Sequence, residues 1–210
     1  MNIEKLINEA VRIIENGGVV ILPADTVYGI FGNALNEQTI DRVYQIKGRK
    51  RGKPFGIVSS KTKVSGIVQM NAASTNVVNS CWPAAISLIA PKRTDVIPAF
   101  FSGDEPGLLV VNAQNQVLSK IVEKCSVPIF STTCNLAGET EAKTIEDLEP
   151  FRTKVDMVLE NHYFDFKGRP STIVNTMGDA PVLIREGAHS AVELGTQVKN
   201  LVINTSLLIQ

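Results

Sequence analysis

Short apolar runs, each closed by proline, glycine or a polar cluster, alternate with helix-patterned segments along nearly the whole 210-residue chain. That alternation constrains the fold more than any bulk property, because each run needs strand neighbours and each amphipathic segment needs a face to cover. The opening "MNIEKLINEAVRIIENGG" predicts an amphipathic helix with apolar positions Ile3, Leu6, Ile7, Ala10, Val11, Ile13 and Ile14, stopped by Gly17 and Gly18. A β-branched run from Val19 to Leu22 follows and ends at Pro23. "NEQTIDRVYQIKG" reads as a short helix from near Asn36 to Gly48, and "KPFGIVSS", "SCWPAAISLIAPK" and "GLLVVNA" read as strands. "NQVLSKIVEKCS" is helical, "VPIFSTT" a strand, and "TIEDLEPFR" a short helix with Thr144 as cap and Asp147 in its first turn. "PSTIVNT" and "APVLIREGA" form a strand pair around "MGD". Several of the strand-to-strand connections are short, so the expectation is one α/β domain over residues 1–210, with a twisted mixed sheet and helices packed on it. The tail from 191 to 210 is apolar enough to pack as a last strand or helix.

Composition removes several classes of function. Hydrophobic residues make up 44% and charged residues 20%, which suits a globular domain. No apolar run reaches the roughly 18 residues of a membrane span, and the N-terminus lacks an export pattern, so a cytoplasmic protein with no membrane role is expected. Cys81, Cys125 and Cys134 are widely spaced, and His162 and His189 stand apart, so neither a disulfide framework nor a zinc site is expected. With 21 basic and 21 acidic side chains, a general nucleic-acid coat is disfavoured.

Against that neutrality, "KGRKRGK" packs five cations, Lys47, Arg49, Lys50, Arg51 and Lys53, around two glycines. The plain reading is a solvated basic turn. Crowded like charges on a glycine-broken loop between a helix and a strand also fit an anion, and a polyphosphate best. An RNA patch stays open on charge, although no aromatic residues interleave with the cations. Walker and Rossmann glycine motifs are absent. Further polar groups fall at strand ends: Asp25 and Thr26; Ser131, Thr132, Thr133 and Asn135; Ser171 and Thr172; and Arg185. Nothing forms a Ser-His-Asp triad, so no covalent nucleophile is expected.

Taken in order, these stretches resemble the YrdC-like family of threonylcarbamoyl-AMP synthases from about residue 5 to about residue 190. "GGVVILPADTVYGIFGNA" is similar to its P-T-D-T-V-Y-G-L signature, and "KGRKRGKPFGIV" to K-x-R-x-x-x-K-P-L. "CWPAAISLIAP" resembles W-P-G-P-L-T-L-V, "STTCNLAGE" resembles S-T-S-A-N-x-S-G, and "PSTIV" with "LIREGA" resembles P-S-T-V-V and L-R-x-G-A. The resemblance implies a YrdC-like fold with a cationic cleft, in the single-domain form. It implies a nucleotidyltransferase that makes threonylcarbamoyl-AMP and pyrophosphate from L-threonine, bicarbonate and ATP. Mg²⁺ would arrive with ATP, held by phosphates and water rather than by a protein metal site. Lys47, Arg49, Lys53, Asn135, Lys143 and Arg185 would bind ATP, and Thr26, Thr133 and Ser171 would face the amino acid. The implied partners are tRNA and a downstream threonylcarbamoyl-transferase.

One departure stands out. Where the family has V-x-V-R-x-P-D-H-P, this chain reads "LLVVNAQNQ", placing Val111 at the arginine expected to hold the threonine carboxylate. Either another cation, such as Arg51 or Arg93, takes over, or the chain adenylates a different carbamate. A non-catalytic nucleotide- or RNA-binding protein is the alternative of a different class.

Overall fold

The computed structural model describes residues 2–52, 54–160 and 169–203. The first helix, α1 (Ile3–Glu15), is capped by Asn2, whose side chain accepts the Glu4 N–H at 2.9 Å, and it buries Ile7, Ala10 and Ile14. Strands β1 (Val19–Pro23) and β2 (Tyr28–Asn33) form an antiparallel hairpin. Helix α2 (Glu37–Ile46), capped by Asn36, leads to β3 (Gly56–Ser59). Then come α3 (Ala72–Cys81), β4 (Ile86–Pro91), the single turn α4 (Ala99–Ser102) and β5 (Gly107–Asn112). Helix α5 (Gln116–Lys124), capped by Asn115, precedes β6 (Ile129–Thr133). The chain closes with β7 (Met157–Val158), β8 (Thr172–Asn175), β9 (Val182–Arg185), α6 (Ala191–Gln197) and β10 (Val202–Ile203).

The ten strands of the described residues join one sheet in the order β10-β9-β8-β4-β5-β3-β6-β2-β1-β7. It is mixed, as the short connections require: β1/β2, β2/β6, β3/β6, β4/β5 and β8/β9 are antiparallel, while β1/β7, β3/β5, β4/β8 and β9/β10 are parallel.

Strand alternation gives the sheet two different faces. One is mostly apolar: Ile21, Ile30, Ile57, Phe130, Val110, Leu88, Val174 and Leu183 point into a core that also takes Ile40, Val43 and Tyr44 of α2 and Val77 and Val78 of α3. On the other face, α1 and α5 cover Val20, Leu22, Phe31, Val58 and Ile129. Phe31 and Phe130, 1% and 0% exposed, each contribute about 2–3 kcal/mol of burial. Further along that second face Leu109, Val111, Ile89 and Ile173 are only partly buried. That uncovered portion is the cleft.

Four expectations need amending. The strand read in "SCWPAAISLIAPK" is confined to Ile86–Pro91, because Ser80 and Cys81 finish α3. The "TIEDLEPFR" helix is a single 3-10 turn at Glu146–Leu148 that begins after Ile145 rather than Thr144, with Asp147 in it as expected and bonded back to Thr144. Hairpin partner β2, with Gly29 and Gly32 among its six residues, carries no strand pattern of its own. The tail splits into α6 and the two-residue β10, and residues 204–210 lie outside the described part.

Candidate active site

The basic loop is three environments rather than one patch. Helix α2 ends at Lys47, and Gly48 takes the left-handed conformation (φ 61°), so Arg49 N–H turns back to the Tyr44 carbonyl at 3.0 Å. That turn lays the Arg49 guanidinium over two rings, its carbon 5.2 Å from the centroids of both Tyr44 and Phe55. The rings stack 4.5 Å apart, and Phe55 continues onto Phe130 at 5.3 Å, so the platform is anchored in the core. No aromatic residue lies within the cationic run, but Tyr44 and Phe55, which flank it, meet Arg49. They are buried, however, at 7% and 3% exposure, and Arg49 already lies over them. Arg51 turns outward into ion pairs with Asp41 at 2.5 Å and Glu37 at 3.2 Å, the ordinary solvated arrangement. Lys50 is exposed, and Lys53 lies outside the described residues.

Lys47 points inward and is 2% exposed. Its Nζ donates to the Thr133 carbonyl (2.6 Å), the Asn135 carbonyl (3.0 Å) and Asn135 Oδ1 (2.8 Å). Burial, and then the nearby Arg49 charge, push its pKa down to about 8. Asn135 Oδ1 also accepts from Thr133 Oγ1 at 2.7 Å, and its amide nitrogen donates to the Glu139 carbonyl at 2.9 Å. The loop and the end of β6 are thus one unit. Cys134 between them is fully buried, and burial pushes its thiol up to about 12, so it is a packing residue rather than a thiolate. Lys143 is exposed just beyond Ala142, whose N–H donates to the Cys134 carbonyl (2.8 Å) and whose carbonyl accepts the Tyr28 N–H (3.0 Å). A cavity of about 320 Å³ opens at this turn, lined by Asn135 together with Glu139, Glu141, Glu146 and Asp147, and its four carboxylates disfavour a phosphate.

The opposite wall is built on β8 and β9. Ser171 Oγ and Ser87 Oγ of β4 share a hydrogen bond of 2.8 Å, and Arg185 Nη2 donates to the Ser171 carbonyl at 2.8 Å. Register pairs Ile173 with both Ser87 and Arg185, which puts them on the cleft side. Gly187 allows this close approach: a Cβ there would lie 2.2 Å from the Pro170 carbonyl oxygen. Buried Thr172 locks the turn, its Oγ1 accepting from the N–H groups of Gly187 and His189, both at 3.0 Å.

Between the walls the floor is apolar. A Cβ on Gly56 would meet Leu109 Cδ2 and Val111 Cγ2, each at 3.4 Å, and Ser131 pairs with Gly56 on the same face. Leu109 pairs in turn with Ile89. Asn112 does not replace a cation here: it is 3% exposed, and its side chain accepts from Ala84 N–H at 2.9 Å and donates to the Ser59 carbonyl. Both suggested substitutes sit in exposed surface pairs, Arg51 with Asp41 and Glu37 as above and Arg93 with Asp95 at 2.6 Å. Thr26 sits half-buried in the β1–β2 turn. That turn is pinned to the β5–α5 connection by Asp25, whose carboxylate accepts from Gln114 N–H (3.1 Å) and Asn115 N–H (2.6 Å). Sequence reasoning underrated Ser87 and the Tyr44–Phe55 platform. The Ser87 signal was the serine closing "WPAAIS", whereas ring stacking on Arg49 depends on a turn that spacing does not reveal.

Among the described residues, no three His, Cys, Asp or Glu side chains are placed to hold a metal ion. Nor is any helix of the described residues long and apolar enough to cross a membrane.

A family model described as telomere recombination, covering Sua5, YciO and YrdC, matches residues 12–187. The chain belongs to this family. A Methanocaldococcus jannaschii protein, provisionally named a threonylcarbamoyl-AMP synthase, is 30% identical over 177 residues, covering 83% of this chain and 82% of that one. Pyrococcus abyssi Sua5 complexed with L-threonine superposes with a TM-score of 0.85 at 23% identity, covering 99% of this chain and 61% of Sua5. Escherichia coli YciO superposes with a TM-score of 0.78 at 21% identity, over 93% of this chain and 94% of YciO. The family thus includes enzymes named for threonylcarbamoyl-AMP synthesis, and the fold is that of Sua5 and YciO.

Proposed function

We propose that this chain makes L-threonylcarbamoyl-AMP and pyrophosphate from L-threonine, bicarbonate and ATP, for the threonylcarbamoyladenosine modification of tRNA. The observation that carries this reading is the fused unit of the α2–β3 loop and the β6 turn. It joins the Thr133 and Asn135 side chains, at the end of the strand whose Ser131 pairs with Gly56 over the cleft floor, to the loop that carries Arg49, while Arg185 and Ser171 meet on the cleft side of β8 and β9.

The chemistry divides between the walls. The threonine amine forms an N–C bond to the bicarbonate carbon, water is lost, and a carbamate anion remains. A carbamate oxygen then bonds to the α-phosphorus, and the bond from that phosphorus to the bridging oxygen breaks, so pyrophosphate leaves with the electron pair. Arg49, Arg185 and, on the loop, Lys53 stabilise the charge that gathers on the leaving group. Asn135 and Lys143 orient the nucleotide, while Thr26, Thr133 and Ser171 face the amino acid. Mg²⁺ comes with ATP and supplies charge neutralisation of the phosphates. The apolar floor excludes water from a mixed anhydride that hydrolyses readily. A transferase that carries the product to tRNA is the partner this chemistry needs.

Val111 on the neutral floor favours one second reading, the same adenylation performed on the carbamate of an amine without a carboxylate. Pyrophosphate release measured with ATP, Mg²⁺ and bicarbonate, with and without L-threonine and a panel of amines, separates the two. Threonine-dependent release is expected. Release with another amine and none with threonine selects the second reading, and no release with any amine rejects both.

A further inference from the structure

We propose that Lys47 is a positioning residue rather than a phosphate ligand: its ammonium is the template that holds the Thr133–Asn135 turn in the shape that meets the nucleotide. The nucleotide part of this inference rests on the ATP reading above.

An ammonium has three N–H donors, and all three are spent here on Thr133 O, Asn135 O and Asn135 Oδ1. At 2% exposure it has no open side toward the cleft. The return contact, Ala137 N–H to the Lys47 carbonyl at 2.9 Å, ties the same turn to the same residue through the backbone. Elsewhere this chain uses lysines in the same way: Lys63 caps the Val122 and Cys125 carbonyls, and Lys92 binds Ser102 Oγ and the Gly103 carbonyl. Lys47 differs from these in its acceptors, because Asn135 and Thr133 themselves face the candidate nucleotide site.

Proton loss would break this template. A neutral amine offers two donors and a lone pair to three acceptors, so one contact becomes repulsive. Burial is the largest influence on this proton and disfavours it; of the charged groups facing Nζ, Arg49 also disfavours it and Glu141 favours it, leaving a pKa of about 8. A polyanion beside the turn strengthens the hold on that proton. By linkage, nucleotide binding then takes up a proton above about pH 8 and weakens as pH rises further.

Two readouts test this. Methyl NMR signals of Thr133 and Ala137 in the ligand-free protein should shift with a midpoint near pH 8; in Lys47→Met they should lie displaced and stay flat with pH. Binding of a non-hydrolysable ATP analogue should weaken up to about tenfold per pH unit above that midpoint in the native protein. In Lys47→Met it should be weak at every pH, with partial recovery in Lys47→Arg. In the cycle with Asn135→Leu, the double variant should bind no worse than the poorer single variant. Methyl signals that ignore both pH and Lys47→Met, with losses that multiply in the cycle, would make Lys47 a direct phosphate ligand and overturn the proposal. An analogue that fails to bind the native protein at any pH would remove the nucleotide reading; the methyl titration would still decide the positioning one.

Discussion

The two sides of the cleft share one sheet and one strand register, yet they are built by opposite means. At the β6 turn the key side chains are fixed by specific contacts: Lys47 by two carbonyls and an amide, Asn135 by Thr133 and Glu139, Arg49 by two stacked rings. The floor around Val111 has almost no polar constraint and is shaped by side-chain volume alone. The first arrangement gives fixed charge aimed at a fixed place, which is what stabilising a leaving pyrophosphate requires. The second gives exclusion of water and tolerance of shape, so substrate choice is expected to be adjustable there at small cost to nucleotide chemistry.

Substitutions can break or sharpen this contrast. The largest effect should come from Arg49→Ala, which removes charge at the leaving group and is expected to lower kcat/KM for ATP about 100-fold or more, measured by pyrophosphate release. Next is Val111→Arg, which places a cation on the neutral floor. If threonine is the substrate, its KM should fall about tenfold while the affinity for an ATP analogue stays the same, the usual scale of a charge-assisted hydrogen bond. A rise in threonine KM would instead show that the floor serves an apolar group. Asp25→Ala leaves two backbone N–H groups without their carboxylate and should cost about 1–2 kcal/mol in urea unfolding, with a higher KM for the amino acid because the Thr26 turn is released. Arg51→Ala should be the mildest. Its two partners lie on the outer side of α2, so activity should change less than about twofold and stability by about 0.5 kcal/mol or less.

The same contrast explains what could be read from the sequence. Strands with β-branched runs and helices with strong caps, such as α1, α2 and α5, were legible because their signals are local. Helix α3 was not, since "AASTNVVNSC" is only weakly amphipathic and is held by an Asn71–Ser74 capping box. In the site, polar residues at strand ends drew attention to Thr133, Asn135, Ser171 and Arg185, each a weak signal alone because Ser and Thr clusters also make turns and caps and a single Arg also makes surface pairs. The division of labour among five adjacent cations was not legible. It depends on Gly48 turning Arg49 back over Tyr44, and on carboxylates in α2 drawing Arg51 away. Nor could the sequence place Asn112 in the core, where its partners are Ala84 and Ser59, 28 and 53 residues away.

The most direct test of the central claim is the mass of the nucleotide product formed from ATP, Mg²⁺, L-threonine and ¹³C-bicarbonate. Threonylcarbamoyl-AMP heavier by the single labelled carbon is the predicted result, with pyrophosphate formed in equal amount. Formation of pyrophosphate with no labelled adduct, or of a labelled adduct only when threonine is replaced by another amine, would contradict it.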